Sequence, residues 1–332
     1  MSKAPGSPQA TSAPEGVGAA ASSLPAQGRT ARRDADSGSV SSSAVHEVTR
    51  VGAVSAAPGR SQASSAPSGG SAVHEVTSVG ALYLIPAPLD FGCTPATPLA
   101  DVMPLATLAV AARLQHWICE NAKTTRAYLK RVGELVPLAQ PVQALQLQEL
   151  PREVHKKGDH GGGGAAFDAR PLLAPALRGH DIGLVSEAGM PAVADPGSSV
   201  VRAAHDLGLP VIPLVGPVSM LLALAASGLN GQNFAFVGYV PQEATERARR
   251  IRELEALALK TGQTQLFIET PYRNAALLNA LLTALQPGTR LAVSSGLTLV
   301  NAQVRSQSVS TWRQSGKAVT VGDLPAVFAI GR

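Results

Sequence analysis

The stretch DIGLVSEAGMPAVADPGSSVVRAAHDLGLPVIPLVGPVSMLLALAASGL, residues 181–229, carries the signals of a strand, a Gly/Pro-rich loop, a helix, a short strand, a Gly-Pro turn and a second helix. The apolar run Ile182-Gly183-Leu184-Val185 breaks at Ser186-Glu187-Ala188-Gly189, which puts a carboxylate and a pliant backbone at the carboxyl end of a strand. Open α/β sheets bind their ligands at that position. After Asp195-Pro196-Gly197, the residues Val200, Val201, Ala204 and Leu207 recur at helical spacing, and Gly208 closes the helix. The unit is β-loop-α-β, and its natural product is a binding loop.

Upstream, GALYLIPAPLD (80–90) reads as a buried strand running into a loop whose Pro86 and Pro88 lack an N–H and hold the chain extended. A helix is expected over 103–115 and a strand over 117–120. The polar cluster Glu120-Asn121-Ala122-Lys123-Thr124-Thr125-Arg126 then leads into a helix with Thr124 as the expected N-cap. That cluster is open to two readings, a solvated helix start or a binding group. An extended segment over 142–150 and a helix over 168–178 lead into the strand at Ile182.

Downstream, a helix is expected over 218–226, a strand over 234–239 and an amphipathic helix over 242–260 with Ile251, Leu254 and Ala258 on one face. Its other face carries Arg247, Arg249, Arg250 and Arg252, suited either to a nucleic-acid backbone or to pairing with Glu246 and Glu253 along the helix. A strand at 265–269, a helix ending at Leu285 and strands over 290–294, 303–310 and 325–330 complete an antiparallel-leaning sheet. The chain therefore divides into a tail (1–78) and two α/β domains (79–214 and 215–332) with a cleft between them, where small ligands bind by default.

The tail is rich in Ala, Ser, Gly and Pro and cannot bury enough apolar surface to order itself. It repeats SAVHEVTRVGAV from Ser43 as SAVHEVTSVGAL from Ser71. Two copies suit a tandem duplication better than a solenoid, which needs at least three. Within 152–170, His155 and His160 have no Cys or third ligand nearby. The glycine run there lacks the Lys-Ser/Thr of a phosphate loop, so the segment reads as a surface insertion. No secretory signal opens the chain and no apolar run is long enough to span a bilayer, so a soluble, cytoplasmic protein is expected. Cys93 and Cys119 are the only cysteines and offer no metal-ligand spacing. The net charge of +5 favours an anionic partner.

No dinucleotide fingerprint, Walker loop, HExxH or nucleophile elbow is present, which argues against a nicotinamide enzyme, an NTPase, a zinc protease and an α/β-hydrolase. The polar groups at expected strand ends are Asp90, Glu120, Glu187, Asp195, Ser219 and Glu269. In order along the chain stand GALYLIPAPL, CENAKTTRAYL, LVSEAGMPAVADPG, VIPLVGPVSMLLALAASGL, FVGYVP and FIETPYR. With these motifs the chain resembles the tetrapyrrole methylase superfamily of S-adenosylmethionine-dependent methyltransferases. Within it the chain is most similar to the bacterial 16S ribosomal RNA cytidine 2′-O-methyltransferase family.

The resemblance implies two α/β domains with S-adenosylmethionine between them. Pro86, Ala87 and Pro88 would supply one loop, Glu187, Ala188 and Gly189 a second, Ser219 and Met220 the Gly-Pro turn, and Ile268 and Glu269 the last strand. It implies methyl transfer to RNA, with Glu120 and Glu187 as candidate bases and Lys123 and Arg126 holding a phosphate or the nucleophile. A homodimer is also implied. The chain departs from the family pattern at Asn121 and at Ala122-Lys123, where the family has an acidic residue and a Thr-Arg pair, and at Glu187, where it has Asp. The small helical C-terminal extension of the rRNA enzymes is not expected within these residues, whose last segment reads as the strand over 325–330. Those departures leave two further readings open, a methyltransferase for a small molecule such as a tetrapyrrole, or a catalytically idle cofactor-binding protein.

Overall fold

Short segments, most of them apolar and stopped by a Gly, Pro or polar turn, pair into two sheets in the computed structural model, which describes residues 78–90, 92–151, 167–315 and 322–332. Residues 1–77, with the first copy of the duplication and most of the second, and the histidines and glycine run of the insertion lie outside the described residues. Both sheets belong to one compact unit, Ala72–Arg332.

The first sheet is five-stranded and parallel, in the order β3 (Gln146–Glu149), β2 (His116–Cys119), β4 (Ile182–Val185), β1 (Leu82–Ile85), β5 (Val211–Pro213). Its central strands are apolar on both faces because helices cover both, as parallel sheets require. On one face Ile85, Trp117 and Val185 pack with Leu108 and Ala111 of the Leu105–Arg113 helix and Leu129 and Val132 of the Ala122–Gly133 helix. On the other, Leu82, Ile118 and Leu184 pack with Leu173, Val200 and Ala204.

The second sheet has the order β6 (Phe234–Tyr239), β7 (Thr264–Glu269), β10 (Ala326–Gly331), β8 (Arg290–Ser295), β9 (Gln303–Ser308). Only the β6–β7 pair is parallel. Alternation along its strands sends Phe267, Phe328, Leu291 and Val293 to a core with the Ala244–Thr261 and Asn274–Ala284 helices. Leu266, Val327 and Ala292 face Ala223 and Leu224 of the Ser219–Ser227 helix.

Most expected elements form, with shifted ends that have local causes; the strand expected over 303–310 stops at Ser308, which caps an unexpected helix, Val309–Gln314. Asn121 is the N-cap in place of Thr124: its side-chain oxygen accepts from the Lys123 and Thr124 amides, and the helix starts at Ala122. The helix expected over 168–178 is a 3₁₀ turn, Arg170–Leu173, followed by a short helix, Ala174–Leu177. Pro171 and Pro175 there remove amide donors. Residues 142–144 likewise form a 3₁₀ turn after Pro141, leaving Gln146–Glu149 as strand. On the Arg-rich helix Arg249 pairs with both Glu246 and Glu253, and Arg250 with Glu253, so that much of the basic face is satisfied along the helix.

Gly183 sits where β4 passes the indole of Trp117: a Cβ there would lie 2.7 Å from the ring. Gly183→Ala therefore overpacks the first sheet, with an expected loss of about 1–3 kcal/mol. In urea unfolding this reads as a lower midpoint at unchanged slope.

Candidate functional site

The site is assembled from strand ends. β1 and β4 are parallel neighbours, pairing Ile85 with Val185, so the two loops that follow leave the sheet side by side. They are pinned to each other: Ala87 N donates to Gly189 O (2.9 Å) and Gly189 N to Ala87 O (3.0 Å). Gly189 has φ +72°, and a Cβ on it would press on Leu89 at 3.3 Å, so glycine suits both the turn and the close approach. The Gly216-Pro217 turn crosses the same loop, since a Cβ on Gly216 would sit 2.4 Å from Pro86.

Facing these loops are the ends of β6, β7, β8 and β10. Together they enclose a cavity of about 280 Å³ whose walls include Glu120, Glu187, Ala188, Gly189, Asp195, Ser219, Met220, Tyr239, Ile268 and Glu269. Eight of the residues expected from sequence thus meet in one place: Glu120, Glu187, Ala188, Gly189, Ser219, Met220, Ile268 and Glu269. Ala87 and Pro88 line a smaller chamber next to it. Pro86 borders neither; its carbonyl accepts from the buried Tyr128 hydroxyl at 3.2 Å. Lys123 and Arg126 stand exposed on the Ala122–Gly133 helix and do not line the cavity.

Among the described residues, four carboxyl side chains and no Lys or Arg line this cavity. Glu269 is compensated by Arg273 at 3.0 Å and by the Thr270 amide at 2.8 Å. Glu187 accepts from the Thr124 hydroxyl at 3.3 Å. Asp195, named above as a strand-end polar group with no role, is strongly perturbed. Burial, then the charges of Glu120 and Glu187, push its carboxyl up to about 7. Its loop is held in an uncommon conformation, with Ala192 and Ala194 both at φ +64°, a left-handed region that non-glycine residues enter at a cost and mostly at functional sites. The Tyr239 phenol is raised as well, by burial and then by Asp195 and Glu269. Tyr239 and Ser294 also line the cavity and escape a reading of the sequence, because nothing in their strands' alternation marks those ends. Asp90 has a structural part instead. It is buried and receives Arg131 at 2.6 Å, while the second guanidinium nitrogen binds Thr97 O.

Apolar walls from Leu89, Val193, Met220, Leu297 and Val327, an open backbone at Gly189 and Gly296, and an anionic rim suit an organic cation with a flat apolar part. Among the described residues no group of three His, Cys, Asp or Glu could hold a metal, and no helix is long and apolar enough to cross a membrane.

A family model for tetrapyrrole (corrin/porphyrin) methylases matches residues 103–311. Over 214 residues the chain is 32% identical to the ribosomal RNA small subunit methyltransferase I of Mesorhizobium japonicum, with 64% of each chain covered. It is 34% identical over 130 residues to the protein of that name from Vibrio cholerae, covering 39% of this chain and 44% of that one. With that from Halalkalibacterium halodurans the identity is 37% over 114 residues, 34% and 38% covered. The chain thus spans less than two thirds of each of these three relatives.

The Asp195 carboxyl also sets a stability test. Its native proton is retained up to about pH 7, whereas the unfolded chain loses it near an ordinary carboxyl value, so between those points this group makes stability fall as pH rises. Asp195→Asn should raise the melting temperature relative to wild type more at pH 8 than at pH 5; equal differences at both pH values would contradict the assignment.

Proposed function

Since the chain belongs to the tetrapyrrole (corrin/porphyrin) methylase family, we propose that it is an S-adenosylmethionine-dependent methyltransferase acting on RNA, with small-subunit ribosomal RNA as its substrate. The observation that carries this reading is the cavity at the strand ends, which combines an apolar wall, the glycine loop at Gly189 and a carboxylate rim free of Lys and Arg. The curated relatives named as rRNA methyltransferases support the choice of acceptor. We take residues 79–214 and 215–332 as the two domains, and expect a cytoplasmic homodimer.

S-adenosylmethionine, when bound, supplies a methyl group on a positively charged sulfur, open to direct attack by an acceptor oxygen. Glu187, Ala188 and Gly189, Ser219 and Met220, and Ile268 and Glu269 would hold it, with Ala87 keeping the glycine loop in place. The remaining work of the chain is alignment, which accounts for most of the rate in such transfers, and removal of a proton. A ribose hydroxyl is a poor nucleophile and gains from a base whose pKa lies near the working pH. Asp195 fits that role, since it is ionised above about pH 7 and its carboxylate would take the hydroxyl proton. Glu120 supplies the largest of the neighbouring charges that keep Asp195 poised there. Lys123 and Arg126, exposed at the start of the Ala122–Gly133 helix, would hold phosphates outside the cavity.

The test is transfer of labelled methyl from S-adenosylmethionine to under-methylated small subunits and to naked rRNA. The expected result is RNA labelling at a ribose oxygen, with kcat reduced about 10²-fold or more in Asp195→Asn. The rate of the wild type should rise with pH through about 7. In Glu120→Gln that limb should move to lower pH, because one of the charges opposing ionisation of Asp195 is gone. Labelling of a metabolite fraction with none in RNA would favour a small-molecule acceptor and overturn the RNA assignment.

A further inference from the structure

Beside the main cavity lies a second chamber of about 250 Å³, bounded by the Ala87-Pro88 loop, the end of β4 and the Ala122–Gly133 helix. Glu187 borders both spaces and stands between them. A chamber of this size suits a single ring system with its substituents.

Its polar groups narrow the chemistry. Ser186 is only 5% exposed, lines the chamber, and its buried Oγ has no hydrogen-bond partner among the described residues. Buried polar groups are nearly always satisfied, and one left open in a chamber wall points to a ligand atom or a water. The hydroxyl protons of Thr124 and Thr125 are already donated to Asn121 O, that of Thr124 also to Glu187, and that of Tyr128 to Pro86 O. Arg131 is consumed by Asp90 and Thr97, so the chamber's one guanidinium contributes no net positive charge. With the Glu187 carboxylate at the mouth, a phosphate would be repelled from the interior. The cations available to a phosphate, Lys123 and Arg126, lie exposed on the same helix. The faces left by Pro88, Val185 and the Tyr128 ring are apolar.

We propose that this chamber receives the uncharged nucleoside portion of the acceptor nucleotide, base first, with the Ser186 hydroxyl bonding its polar edge while the flanking phosphates stay on the exposed helix. The proposal rests on the reading of the chain as an RNA methyltransferase and assigns Ser186 as a substrate-specificity residue.

The test is saturation-transfer NMR on the full chain with cytidine, uridine, adenosine and guanosine in turn, in the presence of excess S-adenosylhomocysteine. At least one nucleoside should receive saturation through its base protons. The effect should fall at least fivefold in Ser186→Val, whose added methyl groups enter the chamber, and at least twofold in Ser186→Ala, which removes only the hydroxyl. Melting temperatures report whether each variant folds, and Ser186→Ala decides the matter if Ser186→Val does not. Inorganic phosphate should not displace the nucleoside. The proposal is overturned if no nucleoside is saturated, if both folded variants match the wild type, or if phosphate competes. A nucleoside signal that the variants weaken, combined with no methylation of any RNA, would uphold the chamber and overturn the RNA methyltransferase reading; methylated RNA with unaffected variants would do the reverse.

Discussion

The two hydrogen bonds between Ala87 and Gly189 extend the pairing of β1 and β4 beyond the sheet and hold two loops as one rim. Parallel pairing alone would leave the loops adjacent and free to part. The reciprocal bond fixes their separation, and the left-handed backbone of Gly189 then turns the chain so that Glu187 and Ala188 border the cavity. The Gly216-Pro217 turn packs on Pro86 from the other side, closely enough that only glycine fits. The helix that follows carries Ser219 and Met220 to the opposite wall. The two loops and the Ser219-Met220 wall are therefore referred to the same pair of backbone bonds.

Charge follows from that geometry. Among the described residues several acidic groups elsewhere are matched, as Asp90 is by Arg131, Asp181 by Arg113, and Glu246 and Glu253 by Arg249. In the cavity Glu269 is matched in the same way, by Arg273. Asp195, buried within the field of Glu120 and Glu187, instead holds its proton to about pH 7. A site with this balance favours a cation and offers a carboxyl near the pH at which a base works best. The strained turns at Ala192 and Ala194 are consistent with a loop whose shape is set by that site.

Much of this is legible in the sequence, for identifiable reasons. Strands such as Ile182–Val185 and Phe234–Tyr239 announce themselves by apolar runs ended by Gly or Pro, and the ordered motifs carry the fold. The helix start at Asn121 is harder to read because Thr124 is also a good cap. What decides between them is backbone conformation: Asn121 is extended, and its side chain reaches the Lys123 and Thr124 amides. Lys123 and Arg126 belong to the right helix, yet a helix distributes its residues around its axis, and these two point away from the cavity lining while Thr124 and Tyr128 face the chamber. Asp195 is visible as a strand-end carboxylate, but its perturbation depends on burial and then on Glu120, which is distant in sequence and comes near only when β2 and β4 pair. The second chamber is of the same kind. Its walls come from three separate segments, and the buried hydroxyl of Ser186 has meaning only once they close around it.

The central claim is that the strand-end cavity is the cofactor site. A crystal structure of the chain grown with S-adenosylhomocysteine tests it most directly. The account predicts the ligand between the Glu187-Ala188-Gly189 loop and the Ser219-Met220 turn, touching Ile268. Binding at any other place, or a chain that takes up no ligand at saturating concentration, would contradict it.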